Sequence, residues 1–179
     1  MNSSRKTSLL TLTEREGKMY NTGMENKKKR IYVDTTVVYG APRKEFSQDS
    51  KRFWQAARNG EFVIIASDVL DKELKRAPAH IRAGFDALPE SLIERVESTD
   101  ESNALATQYI AEGVVDKANL DDCKHIALAT LANADALVSW NFGHIVYRRA
   151  GYNDVNEKLG YPRIRIQSPN QSEVNHESM

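Results

Sequence analysis

"KKKRIYVDTTVVYGAP", residues 27–42, is the stretch on which the reading of this chain turns. From Ile31 to Tyr39 it is a near-continuous run of β-branched and aromatic residues, the pattern of a strand buried on both faces. Asp34 stands in the middle of it. Taking a carboxylate out of water costs on the order of several kcal/mol unless something compensates it. The stretch therefore predicts a first strand over residues 30–38 and asks what partner makes Asp34 tolerable.

The surroundings are those of an ordinary soluble domain. The chain has 179 residues, enough for one core, with 40% hydrophobic and 28% charged residues. No apolar run approaches a membrane span, and "MNSSRKTSLLTLTEREGKMY" lacks the apolar core of a signal peptide, so a cytoplasmic protein with no membrane association is expected. A single cysteine, Cys123, excludes an internal disulfide and CxxC-type metal sites. It reads as a small buried residue, since no triad suggests itself. The formal net charge of zero hides an asymmetry: residues 1–30 hold eight Lys/Arg against three Asp/Glu, and the rest carries the opposite excess. The run "KKKR" suits phosphate backbones, or is a solvated lead into the strand.

Residues 1–29 are polar, non-periodic and rich in Ser and Thr, as expected of a disordered basic tail, and Met24 offers a second start close to the first strand. The domain is expected over 30–169, with a polar tail over 170–179. After the first strand the pattern predicts a helix over 48–59 stopped by Gly60, a strand over 61–67, and a helix from Ser67 or Asp68 to about residue 77. A helix ending near Pro89, a short strand over 93–98 and helices over 100–112 and 119–133 follow. The strand "DALVSWN" (135–141), a helix over 152–159 and an edge strand "PRIRI" close the domain. Strands separated by helices predict an α/β fold, a three-layer α/β/α sandwich with a mainly parallel central sheet.

In such a sheet, ligands bind outside the carboxyl ends of the strands. Asp34 lies near the end of the first strand. Glu73 flanks the apolar stripe of the helix after the second, Asp122 opens the helix "DDCKHIALATLA", and Asn141 ends the strand "ALVSWN". Three carboxylates and an amide can converge at one sheet edge. Crowded carboxylates repel, and the usual remedy is a hard divalent cation with oxygen ligands, Mg²⁺ or Mn²⁺.

Together "IYVDTTVVYG", the Glu of "SDVLDKEL", "DDCKHIALA" and "ALVSWNFGHIV" resemble a PIN domain, the ribonuclease fold of VapC-type toxins. The resemblance spans residues 31–169 and rests on four motifs in order rather than on any one of them. It implies a nuclease that cuts RNA with Mg²⁺ or Mn²⁺, a small antitoxin protein as partner, and a homodimer. Carried over by position, Asp34, Glu73 and Asp122 are the acidic catalytic and metal-binding residues, and Thr36 is the hydroxyl two residues after the first Asp. Ser139 and Asp121 support the site, and Arg43 and Lys44 after the first strand are the candidates to hold the RNA backbone. The fourth acidic position falls on Asn141, where PIN domains typically have Asp. An amide oxygen can still ligate a cation but brings no charge. The chain resembles a variant group with "SWNFGHI" followed by "YNDVNEKLGYPRIRIQSP".

Each residue also has a plainer reading. Asp34 can be a hydrogen-bonded structural carboxylate, and Glu73 a surface residue paired with Lys72 or Arg76. Asp121 and Asp122 both suit a helix N-terminus whatever the function; the resemblance divides them, Asp121 as cap and Asp122 as metal ligand. Asn141 can cap the segment after it as well as meet a cation. His125 reads as packed and outside the site, His144 as a residue able to face the cleft, and Trp54 and Trp140 as core. Two other functions compete. A haloacid-dehalogenase-type phosphatase also ends its first strand in Asp but needs a second carboxylate two residues on, where this chain has Thr36. A catalytically weak or inactive PIN-like domain would bind RNA or a protein instead of cutting.

Overall fold

The structure, a computed structural model, describes residues 27–40 and 43–172. The tails expected at 1–29 and 170–179 lie outside the described residues, apart from 27–29 and 170–172. Five strands form one parallel sheet in the order β3-β2-β1-β4-β5: β1 Lys29–Val33, β2 Phe62–Ser67, β3 Ile93–Val96, β4 Ala136–Val138 and β5 Ile166–Gln167. Seven helices connect and follow them: α1 Thr35–Gly40, α2 Ser47–Arg58, α3 Asp68–Leu74, α4 Ala79–Asp86, α5 Asp100–Ala111, α6 Leu120–Leu131 and α7 Arg149–Lys158. This is the expected α/β/α sandwich.

Side chains alternate across the strands and so build two cores. Ile31, Val33, Ile64, Ala66, Ala136 and Val138 face one layer, packed with Val37 and Val38 of α1, Phe53 and Trp54 of α2, and Phe85 of α4. Tyr32, Ile65, Leu137 and Ile166 face the other, with Leu105 of α5, Ile126 of α6 and Tyr152 of α7. The short helix α3 straddles both: Leu70 and Leu74 join the first core and Val69 the second. Glu73, four residues after Val69, therefore leans toward α6.

Three expectations are corrected. The first strand stops at Val33, and the β-branched run "TTVVY" is helical. Its turn is set locally: the Val37 N–H donates to the Asp34 carbonyl at 3.3 Å, and the Thr36 hydroxyl donates to the Asp34 carboxylate. Burial of Val37 and Val38 overrides the preference of branched residues for strands. The strand over 135–141 is only three residues long, because the Trp140 and Asn141 N–H groups bond to the Thr36 and Ser139 hydroxyls rather than to a neighbouring strand. The edge strand is Ile166–Gln167 rather than "PRIRI". Gly60 does stop α2, with φ +72°.

The strand order reverses at β1, with β2 on one side and β4 on the other. Residues 34 and 139–141 follow the two strands at that switch point. A crevice at the carboxyl ends of β1 and β4 is where an open α/β sheet offers a ligand site.

Candidate active site

Asp34 is fully buried and both its oxygens are occupied. Oδ1 accepts the Thr36 hydroxyl and Oδ2 the Ser139 hydroxyl, each at 2.6 Å. Those hydroxyls are held in turn: Thr36 Oγ1 accepts the Trp140 N–H at 2.8 Å and Ser139 Oγ the Asn141 N–H at 2.9 Å. The partner of the buried carboxylate is thus a pair of neutral donors fixed by two turns. Burial pushes the Asp34 carboxyl above its ordinary value; the charge of His125 and the two hydroxyls oppose the shift, and Asp122 adds to it.

Asp122 lies in the first turn of α6, with a quarter of its side chain exposed. Its Oδ2 accepts the Asn141 side-chain N–H at 3.1 Å and stands 3.4 Å from His144 Nδ1. Asn141 Oδ1 accepts the His144 backbone N–H at 3.0 Å, which fixes the orientation of the amide. Asn141 therefore caps its turn and shows Asp122 a donor. The oxygen that the sequence reading offered to a cation thus already accepts one hydrogen bond. Burial raises the Asp122 carboxyl, against the pull of His125, His144 and the Asn141 hydrogen bond.

Asp121 does not cap α6. The cap position is Asn119, without a side-chain cap bond, and Asp121 points outward to Lys124 at 2.8 Å.

His125 was read as lying outside the site, yet it sits among the carboxylates. It is buried, with Nε2 3.3 Å from Glu73 Oε2 and Nδ1 2.8 Å from the Tyr32 hydroxyl. Tyr32 gives its one proton to Ser67 Oγ at 2.7 Å, so Nδ1 must donate to the phenol oxygen. Nε2 faces a carboxylate and donates as well. With an oxygen at each ring nitrogen, the setting favours the protonated ring. Burial disfavours that form, but the Glu73 hydrogen bond and the charges of Asp34, Glu73 and Asp122 outweigh it, so the pKa is raised. The signal was present in "DDCKH": positions i and i+3 on a helix share a face.

Of the expected site residues, Asp34, Thr36 and Ser139 form one hydrogen-bonded unit, Asp122 and Asn141 a second, and Glu73 a third with His125. Arg43 lies at the rim of a cavity beside Thr36, while Lys44 is exposed with its side chain in no bond among the described residues. A cleft of about 380 Å³ around Glu73 is lined by Lys72, Arg76 and Lys124, cations that the sequence reading did not single out for RNA.

No protein-family model and no curated protein sequence matches this chain. Solved structures do. VapC20 of Mycobacterium tuberculosis, described as a Sarcin-Ricin loop cleaving toxin, superposes with a TM-score of 0.50 at 12% identity over 75% of this chain and 98% of its own. A chain of the VapBC2 complex of Rickettsia felis, bound to a DNA fragment from its promoter, gives 0.48 at 15% identity over 78% and 98%. The fold is that of a VapC-type PIN domain.

The acidic edge of this PIN fold can be tested as a metal site. Among the described residues no three His, Cys, Asp or Glu side chains are grouped to hold one ion, which speaks against a closed protein cage. Mg²⁺ seldom uses one: it keeps much of its water and takes one or two carboxylates plus substrate phosphate. Asp34 and Asp122, both raised mainly by burial, with Asp122 adding to the shift of Asp34 and Glu73 to that of Asp122, are such a pair of hard oxygen donors short of positive charge. The donor chemistry fits a hydrated cation, with Asn141 as a hydrogen-bond donor beside it.

Proposed function

We propose that the chain is a PIN-type endoribonuclease that hydrolyses RNA phosphodiesters with Mg²⁺ or Mn²⁺, acting as the toxin of a toxin–antitoxin pair. The observation that carries this reading is the buried Asp34 at the sheet's switch point, within electrostatic reach of Asp122 and on the same edge as Glu73. A structural carboxylate has no need of two further acidic groups around it. The shared fold with VapC20, itself described as a Sarcin-Ricin loop cleaving toxin, supports a nuclease reading.

Asp34 and Asp122 would hold the cation. When bound, it would supply positive charge at a phosphoryl oxygen and acidify a water. Glu73 Oε would accept the proton of the attacking water, with His125 orienting that carboxylate from the other side. Lys72, Arg76 and Lys124 around the Glu73 cleft suit the sugar–phosphate backbone. A small antitoxin would compete for this cleft, and a homodimer would be its cellular form.

The test is cleavage of single-stranded RNA in millimolar Mn²⁺ by the parent and by Asp34→Asn. Cutting by the parent that disappears in EDTA and in the variant is expected. Cutting that survives either treatment would overturn the mechanism. A second reading has its own observation: every carboxylate already has a donor, so the domain can stand without metal and bind RNA or protein without cutting. RNA binding with no cleavage in any divalent cation would select it.

A further inference from the structure

We propose that the cavity beside Asp34 is a nucleobase subsite, which takes one unpaired base of a single-stranded RNA flanking the phosphodiester to be cut. The inference rests on the ribonuclease reading and deepens it. The cavity, of about 290 Å³, is walled by Tyr39, Phe46 and Trp140, with Thr35 and Asn141 as polar edges and Arg43 at the rim.

Two of its walls are fixed against each other. Phe46 stacks on Trp140 with ring centres 4.3 Å apart and planes 17° from parallel. Trp140 Nε1 donates to Ser50 Oγ at 3.0 Å. Gly40 lies so close that a Cβ there would come within 2.5 Å of the indole, so only glycine admits the ring in this place. One hydroxyl joins this wall to the acidic edge: Thr36 Oγ1 accepts from the Trp140 N–H and donates to Asp34. A group in the cavity is thereby one residue from the carboxylates.

The chemistry of the lining selects the occupant. Flat aromatic walls suit the face of a base, and every base has one. Thr35 lines the cavity, and its Oγ1 is buried just beneath with no hydrogen-bond partner among the described residues, a polar group left over beside the space a base would fill. Arg43 is exposed and makes no ion pair among the described residues, free for the phosphate of the same nucleotide. A paired base cannot enter, because its face is stacked and its edge engaged. Single strands, loops and bulges are the substrates this geometry admits.

The experiment is equilibrium binding of a five-residue single-stranded RNA in EDTA, where no cutting intrudes, compared with versions carrying one abasic residue at each position in turn. One position should stand out, its loss weakening binding by about tenfold. In Tyr39→Leu, which keeps apolar bulk but removes the ring, the same abasic residue should make no difference. On the unaltered chain, Trp140 emission should respond to the intact RNA and not to the version abasic at that position. Equal effects at every position, a loss that persists in Tyr39→Leu, or no binding at all would each overturn the subsite. Cleavage in Mn²⁺ is read separately: a chain that cuts RNA without a special position keeps the nuclease and loses the pocket. A chain with a special position and no cleavage does the reverse.

Discussion

The two ends of the acidic edge compensate their carboxylates by different chemistry. At the Asp34 end the donors are neutral hydroxyls, Thr36 and Ser139, held by turns that follow β1 and β4. At the other end the donors are imidazoles, His125 on Glu73 and His144 beside Asp122. Hydroxyls satisfy hydrogen bonds at every pH but bring no charge, so the Asp34 carboxyl stays raised. Imidazoles bring charge, and they bring it only when protonated. The donors at one end are therefore constant with pH, while His125 at the other brings a charge that depends on it, and variants can be chosen to act on each end alone.

The largest effect is expected from His125→Gln. It removes the buried imidazole that bonds Glu73 and whose charge offsets Asp34 and Asp122. Breaking a buried pair costs roughly 3–5 kcal/mol, and because Glu73 is about a third exposed the expected loss is nearer 2–3 kcal/mol. The raised pKa of His125 fixes the sign with pH. Its contribution is fully present below the ordinary 6.5 and is lost as pH rises through the raised value. Melting curves in EDTA should show the parent–variant gap widest in mildly acid buffer and narrower in alkali. A gap that does not change with pH would mean His125 is neutral in the fold.

Asp34→Asn acts on the constant end, and with opposite sign. The carboxyl is raised by burial, so above that raised value the folded state carries a charge it would rather not have. As pH falls, the native carboxyl takes up its proton before the unfolded one does, and below the ordinary 3.8 both are neutral. An amide keeps one acceptor for a hydroxyl and carries no charge. The variant should melt a few degrees above the parent at neutral pH in EDTA, with the difference closing in acid. A variant that melts lower at every pH would show that both hydroxyl bonds need the full carboxylate.

How much of this was open to the sequence follows from the range of each interaction. The parallel sheet was legible, since alternating cores leave continuous apolar runs such as "VIIA", and Asp34 drew the eye because its type clashes with that run. The helix in "TTVVY" was not legible, because branched residues prefer strands and only packing of Val37 and Val38 under the sheet decides otherwise. Asp121 and Asp122 are chemically alike and adjacent, so composition could not assign them; the helix phase turns one outward to Lys124 and the other toward Asn141. The roles of Asn141 and His125 depend on contacts 19 and 52 residues away in the chain.

Asn141→Asp moves the charged end toward the acidic pattern typical of PIN domains. It replaces the amide N–H 3.1 Å from Asp122 with a carboxylate oxygen, while the oxygen accepting from the His144 N–H is retained. In EDTA the new repulsion should lower stability by about 1 kcal/mol, since Asp122 is partly solvated. In millimolar Mn²⁺ the ion would gain a charged ligand, and binding to the folded state stabilises it. Metal should raise the variant's melting midpoint more than the parent's. Equal shifts would place position 141 away from the cation.

The smallest effect belongs to His144→Ala. Its Nδ1 is 3.4 Å from Asp122, and half of its side chain is exposed, so water screens most of the attraction. The backbone bonds at this position, from the His144 N–H to Asn141 and from the Tyr152 hydroxyl to the His144 carbonyl, are unaffected by losing the ring. Stability should fall by no more than about 0.5 kcal/mol, and that loss should fade as salt rises above roughly 0.5 M. RNA cleavage is the sharper measure. If His144 only shields Asp122, removing it should leave the maximal rate in saturating Mn²⁺ unchanged and alter the metal concentration required. A fall in the maximal rate at saturating metal would give the exposed imidazole a role in the reaction itself, as a proton donor to the leaving oxygen. The comparison between a constant end and a titrating end would then extend from stability to catalysis.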